Sequence, residues 1–338
     1  MADNKVPLFS DGFDREKFID ADYQLMTREI QSLDKIVYGV VRAKGVADKI
    51  FPHIKIPKGK RQHIVATEVE QEAPIFDDNF MKEDLDQVRK SETTFYPVFM
   101  HKDFALNMVD IDASRSDPSY YNVDLKALTL RGSVGTMMDY KEKIQWRGYN
   151  ISGRAHAAAN NQGLIDTNSK GIMDTTSVQT FDVGAGADSS VTAAGDGPAS
   201  VGLGAQDLVV YHYYGPYDFI MTPGVYAQLI ANQNSTTHIH DIERMQSMID
   251  LKGSKLLRNL DVTPYLKGTV ETTSTGAILM FDRKTPAGEP TAVIGEEYPI
   301  AHGPTSQNQY GVKGKVIWSG IPCVLRPYAF TMDEAITY

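Results

Sequence analysis

Along residues 14–44 apolar side chains recur in alternating steps of four and three, at Ile19, Tyr23, Met26, Ile30, Leu33, Val37 and Val40. A heptad stripe of this kind predicts one long helix lying along another surface. At ~1.5 Å per residue it would be roughly 45 Å long, with Gly45 placed to stop it. The stripe by itself fits an ordinary core helix as well. Then the pattern changes. Residues 62–74 and 93–109 are rich in Val, Thr, Phe and Tyr and read as extended segments. Between them, residues 81–90 form a strongly charged tip. Pro74 and Pro97 cannot donate to a ladder, which assigns these strands to edges. The simplest arrangement is a long two-stranded ribbon. A lone ribbon is marginal in water, so it must lie on its own domain or on a neighbouring chain.

Residues 122–147 predict a second long helix. Val123, Ala127, Leu130, Val134, Met137 and Ile144 fall near one face, with Lys141 interrupting it. Gly132 and Gly135 each cost about 1 kcal/mol against Ala, and their small size would admit a neighbouring backbone. Asn122 can cap the start and Gly148 the end; Asp117-Pro118 offers an earlier start. Residues 166–206 are dominated by Gly, Ala, Ser, Thr and Asp, with Lys170 the one basic residue, and read as a long irregular loop. Beyond them the pattern is α/β. It predicts a buried strand at 218–221, a helix opened by Pro223 and running to Ala231, a helix at 239–251 and a buried strand at 277–281. A strand pair follows over 311–330, with a turn at Ser319-Gly320-Ile321-Pro322.

The 338 residues, 42% hydrophobic, suffice for one large or two modest cores. No apolar run approaches the length of a membrane-spanning helix, so no membrane partner is expected. Met1-Ala2-Asp3-Asn4 lacks the features of a signal peptide. Cys323 is the single cysteine, which rules out an internal disulfide. The formal net charge of -9, from 34 Lys+Arg against 43 Asp+Glu, argues against broad binding to nucleic acid. Lys55, Lys58, Lys60 and Arg61 are a candidate basic face, for which a solvated loop is the simpler reading.

Motifs that carry chemistry are missing from the sequence. Gly184-Ala185-Gly186 and Gly202-Leu203-Gly204 lack the lysine and strand-to-helix context of a phosphate loop. Neither a Gly-x-Ser-x-Gly elbow nor a His-Glu-x-x-His helix occurs. His238, His240 and Asp241 are the densest ligand-like group, and on a helix His238 and Asp241 would share a face. A metal needs three or four converging ligands, so the start of a surface helix is the better reading. Asp110, Asp112 and Asp117 lack the glycine and distal glutamate of a calcium loop. Cys323, in an apolar strand, reads as a small core residue. No catalytic, cofactor-binding or metal-binding residue is predicted.

The succession of helix, charged-tip ribbon, long helix, α/β segment and final strands resembles the Hong Kong 97-like major capsid proteins of tailed viruses, and their relatives, the encapsulin shells. Three stretches carry the resemblance. Phe104-Ala105-Leu106-Asn107-Met108-Val109-Asp110-Ile111-Asp112-Ala113-Ser114-Arg115 is similar to the ribbon's return strand running towards the long helix. Trp146-Arg147-Gly148, with Gly163-Leu164 after it, is similar to the end of that helix and the following turn. Tyr214-Gly215-Pro216-Tyr217-Asp218-Phe219-Ile220-Met221-Thr222-Pro223 is similar to the strand-then-helix entry of the family's axial domain.

The resemblance implies an α+β chain: an N-terminal arm at 1–54, an extended hairpin loop at 55–110, and a peripheral domain with its spine helix and a Gly/Ala-rich insertion at 111–206. An axial domain would follow at 207–300 and peripheral strands at 301–338. It implies a structural, non-enzymatic protein without cofactor, whose copies form hexamers and pentamers of an icosahedral shell, assembled in the host cytoplasm and residing in the virion. Portal, scaffolding and decoration proteins and weakly contacted encapsidated nucleic acid are the implied partners. Lys82, Glu83, Asp84, Asp86, Arg89 and Lys90 at the ribbon tip, and Ile30, Leu33 and Val37 on the first stripe, are the implied inter-subunit contacts. The 166–206 insertion departs from the family core. The chain's length favours a virus, whereas a helix so close to the N-terminus resembles the encapsulin arrangement. An encapsulin compartment and a soluble α/β enzyme with a site near His238, His240 and Asp241 remain the alternatives.

Overall fold

The computed structural model describes residues 45–58, 63–70, 89–95, 97–107, 125–148, 172, 179–184, 186, 188–250, 253–266, 275–303, 306–308 and 311–338. The stripe at 14–44 with Ile30, Leu33 and Val37, the tip residues Lys82, Glu83, Asp84 and Asp86, and Asp110, Asp112 and Asp117 lie outside them. The chain divides into two compact units. The described residues of the first are Gly45 and those within Val98–Glu142 and Glu296–Gly320, and the second comprises Val46–Pro97, Lys143–Gly295 and Ile321–Tyr338.

The elements in chain order are α1 (Val46–Ile50), β1 (His53–Lys55), β2 (His63–Glu70), β3 (Arg89–Phe95), β4 (Val98–Asn107), α2 (Leu125–Arg147), β5 (Gln179–Thr180), α3 (Asp196–Val210), β6 (Tyr217–Met221), α4 (Pro223–Ala231), α5 (Asp241–Ser247), β7 (Leu257–Val262), β8 (Thr275–Phe281), β9 (Ala292–His302), β10 (Ser306–Asn308), β11 (Gly311–Val324) and β12 (Phe330–Thr337).

In the first unit β4 runs antiparallel to β11 without a break, from Asn107↔Gly311 to Val98↔Gly320, and β10 pairs with the start of β11. Phe104, Val316 and Trp318 are buried, as are Leu130, Val134, Met137 and Met138 of α2. Lys141, which interrupts the apolar face of that helix, is buried too. Its ammonium lies 2.7 Å from Glu296 and 5.7 Å from the centre of the Trp318 ring, and the Trp318 indole N–H donates to the same carboxylate at 3.0 Å. The interruption is a satisfied ion pair, the form in which a buried lysine is tolerated.

The second unit is built on a sheet of order β5-β12-β8-β6-β7, with β6 parallel to β7 and antiparallel to β8. Every residue of β6 is buried, as expected of an internal strand. Phe51, Phe281 and Phe330 stack, with Phe51–Phe281 centroids 5.2 Å apart and Phe281–Phe330 5.0 Å, and Trp146 meets Phe51 edge-on at 6.1 Å. Cys323 is fully buried, and burial pushes its thiol up to about 12.

Several expectations hold. The helix at 122–147 is α2, and Gly148 ends it with φ 70° and an N–H donated to Ile144. The segments at 218–221, 223–231 and 277–281 are β6, α4 and the core of β8. Others change. The 166–206 segment is no continuous loop: its last part forms most of α3. Glycines at positions 197 and 204 read as loop signals, but here they are packing surfaces. A Cβ on Gly197 would lie 2.9 Å from Leu229 and Met245, and one on Gly204 2.7 Å from the Met280 sulfur. Close tertiary approach overrides their poor propensity. Gly132, expected to admit a backbone, faces open space instead.

The helix expected at 239–251 shrinks to Asp241–Ser247. The turn expected at 319–322 does not exist, since β11 runs straight through it. The β4 ladder stops at Gly320, so Pro322 needs no N–H for it. Residues 93–109 split: β3 stays in the ribbon, and β4 leaves it to pair with β11.

Candidate assembly surfaces

The ribbon is the first candidate. β2 and β3 pair antiparallel from His63↔Phe95 to Glu70↔Arg89, with a register shift between Ala66 and Glu68. They form a two-stranded sheet with no third described strand. Arg89 and Lys90, expected at the tip, are ladder residues opposite Glu70 and Val69. The sequence-level boundary missed this because charged residues are poor strand formers, and pairing overrode that preference.

A second candidate follows α3. Val209, Val210, Tyr211 and Tyr214 are all exposed, Val210 at 66% and Tyr214 at 59%. The segment is held from beneath. The Tyr217 hydroxyl donates to the Tyr213 carbonyl at 2.7 Å, and the Gly215 N–H donates to Asp282 at 3.2 Å. Tyr211 stacks on Tyr328 at 4.8 Å. Burial, then the Asp282 charge, pushes the Tyr217 phenol well above its ordinary range.

Beneath that segment lies a cluster that motif reading missed. Asp218, wholly buried in β6, accepts from Arg283 Nε at 2.7 Å and Nη2 at 2.6 Å, and from Arg258 at 3.4 Å. Asp282, also buried, accepts from the Gly215 and Lys284 N–H groups, with Arg258 Nη2 at 4.0 Å. The one available signal was an aspartate inside the otherwise apolar run Tyr217-Asp218-Phe219-Ile220-Met221, which needs a cation to be buried.

Burial raises the Asp282 carboxyl above its ordinary 3.8; the Asp218 charge adds to this, while Lys284, Arg258 and Gly215 oppose it. A raised folded-state value means that ionised Asp282 weakens the fold at neutral pH, and that the penalty disappears as pH falls through that value. An Asp282→Asn variant should therefore gain most over the parent near pH 7. The gain should shrink steadily towards about pH 4. Urea midpoints measured across that range check this, and a constant difference would refute it.

The His238, His240 and Asp241 group separates. His238 lies outside α5 with φ 57°, and His240 is only its N-cap, so His238 and Asp241 share no helix face. Asp241 is fully buried and accepts from the Gly195 N–H at 2.8 and 3.0 Å, and from the Gly197 N–H at 3.4 Å. It caps α3 from another helix. Among the described residues no three His, Cys, Asp or Glu are placed to hold a metal ion, and none of the described helices is long and apolar enough to cross a membrane.

No protein-family model matches the sequence, and no curated protein matches it. Solved structures do. The capsid of Myoviridae phage XM1 aligns over 87% of this chain and 92% of its own at TM-score 0.56 and 10% identity. A virus-like particle from Pyrococcus furiosus aligns over 90% and 99% at TM-score 0.55 and 12% identity. The fold is Hong Kong 97-like. A Mycobacterium phage Ogopogo structure shares this Hong Kong 97-like fold over 87% of this chain and 92% of its own, at TM-score 0.52 and 14% identity. At such identities what is shared is the path of the chain, with nearly all side chains replaced. In Hong Kong 97-like terms, the stretch 214–223 is the approach to β6, β6 itself and the start of α4, and Trp146-Arg147-Gly148 is the end of α2.

Proposed function

We propose that this chain is a structural major capsid protein whose copies self-assemble into hexamers and pentamers of an icosahedral viral shell around a genome. The observation that carries the reading is the alignment to a phage capsid chain over nearly the full length of both. The ribbon supports it, because a two-stranded sheet without a third described strand gains stability by lying on another surface. In this reading residues 1–54 are the arm and 55–110 the extended loop. The peripheral domain takes 111–206 and 301–338, and the axial domain 207–300. The tip residues Lys82, Glu83, Asp84 and Asp86, with Arg89 and Lys90, touch the next copy, as do Ile30, Leu33 and Val37. Portal, scaffolding and decoration proteins are its partners, the packaged nucleic acid is touched only weakly, and the role is not enzymatic.

Sizing the purified native protein tests this. A particle of megadalton mass carrying nuclease-protected nucleic acid is expected. A discrete dimer or tetramer would overturn the shell, and full particles holding an enzyme in place of nucleic acid would assign the chain to a cargo compartment instead.

A further inference from the structure

Residues 189–240 contain no Lys, Arg or Glu, and only three Asp. At the chain's 23% of charged residues, 52 positions would carry about twelve. The three aspartates are turned to internal use. Asp196 is buried and accepts from the Ala193 N–H at 2.7 Å. Asp218 holds Arg283 and Arg258. Asp207, partly buried, accepts from the Thr331 hydroxyl at 3.1 Å. No exposed residue of the stretch is Lys, Arg, Asp or Glu. The exposed residues of the stretch, from α3 through α4 to the start of α5, are therefore uncharged in a protein of net charge -9, with Asp207 the one carboxylate left partly exposed.

The neutrality selects the occupant. A polyanion needs free Lys or Arg against its phosphates; the stretch supplies neither, and the arginines that border it are already held, Arg244 by Asp241 and Arg258 and Arg283 by Asp218, so nucleic acid and anionic lipid gain little there. Copies of a -9 chain repel one another, and they approach at least cost where neither presents charge. The surface also has the make-up of an interface core, depleted of charge and bearing exposed tyrosines. Four of its exposed apolar residues, Val209, Val210, Tyr211 and Tyr214, are consecutive or nearly so and include its two most exposed, Val210 and Tyr214, whereas Ile249 stands singly beside Asp250. Tyr214 sits on a segment already held by Asp282 and Tyr217, so little order is lost when it is covered.

We infer that the neutral surface of residues 189–240, centred on Val210 and Tyr214, is where one copy of this chain meets the next. This rests on the capsid reading and specifies its contact surface. The test compares the unaltered chain with Val210→Asp, Tyr214→Asp and, as a control, Ile249→Asp, by sedimentation and negative-stain imaging. Val210 is exposed enough that its replacement leaves the fold intact, which circular dichroism verifies. Both aspartate variants should yield at least ~10-fold less particle, a loss of the size expected at an interface hot spot, while the Ile249 variant assembles normally. Particles of the unaltered chain should survive a rise from about 0.05 to 0.5 M NaCl, because a neutral contact is not screened. Normal assembly of Val210→Asp and Tyr214→Asp, equal loss in the Ile249 variant, or dissolution of the particles in salt would each overturn this inference. Failure of the unaltered chain to form any particle would overturn the capsid reading itself.

Discussion

Excising residues 64–94 and joining His63 to Phe95 through a short Asn-Gly turn should leave a folded, soluble subunit that forms no shell. His63 and Phe95 are the first ladder pair of the ribbon, so the cut ends already lie side by side, about 5 Å apart as strand partners do. An Asn-Gly turn suits such a closure. The ribbon forms a two-stranded sheet of its own, joined to no other described strand, so its excision breaks no described ladder of the other sheets. Association would suffer far more. A shell is held by many modest contacts acting together, so removing one class of them from every copy multiplies through the particle. The expected result is complete loss of megadalton particles with an unchanged circular dichroism signature per residue. Intact particles from this variant would sink the role given to the ribbon.

Replacing Asp218 with Ala should cost about 3 kcal/mol of subunit stability, the low end for removing one partner of a buried ion pair, because Arg283 keeps 23% of its side-chain surface in solvent. Asp218 has no exposed surface, and it accepts from both Arg283 Nε and Nη2, with no other acceptor for them among the described residues. Its loss strands a guanidinium beneath the Tyr213–Tyr217 segment. Arg258 retains Asp282 only at 4.0 Å. The pair as such is weak evidence of stability, because desolvating both charges offsets most of their attraction. Removing both together should therefore be much milder: Asp218→Leu with Arg283→Met is expected to recover over half of the loss. Urea unfolding of unassembled subunits measures both. A single Asp218→Ala variant within ~1 kcal/mol of the parent would show that the cluster is not the tie between β6, β7 and the loop after β8 that its geometry indicates.

Much of the fold was legible where local pattern and final environment agree. β6 and the centre of β8 are apolar runs and became buried strands. Pro223 opened α4 because a proline in the first turn loses no hydrogen bond. Legibility failed where a residue's role depends on a partner far along the chain. Gly197 and Gly204 look like loop residues until Leu229, Met245 and Met280 close over them. Ser319-Gly320-Ile321-Pro322 looks like a turn until ten ladder pairs with β4 hold the preceding residues straight. His238, His240 and Asp241 look like one ligand group until Asp241 turns inward to cap α3.

By itself the sequence determined the long helix α2, the buried strands β6 and β8, the opening of α4 by Pro223 and the lack of a recognisable catalytic motif, because periodicity and composition are local quantities. It also held the absence of Lys, Arg and Glu over 189–240. Only the tertiary structure turned that absence into a neutral surface. Burial and pairing of Asp196 and Asp218 depend on contacts with residues that lie apart in the chain, and those contacts decide which charges meet the solvent.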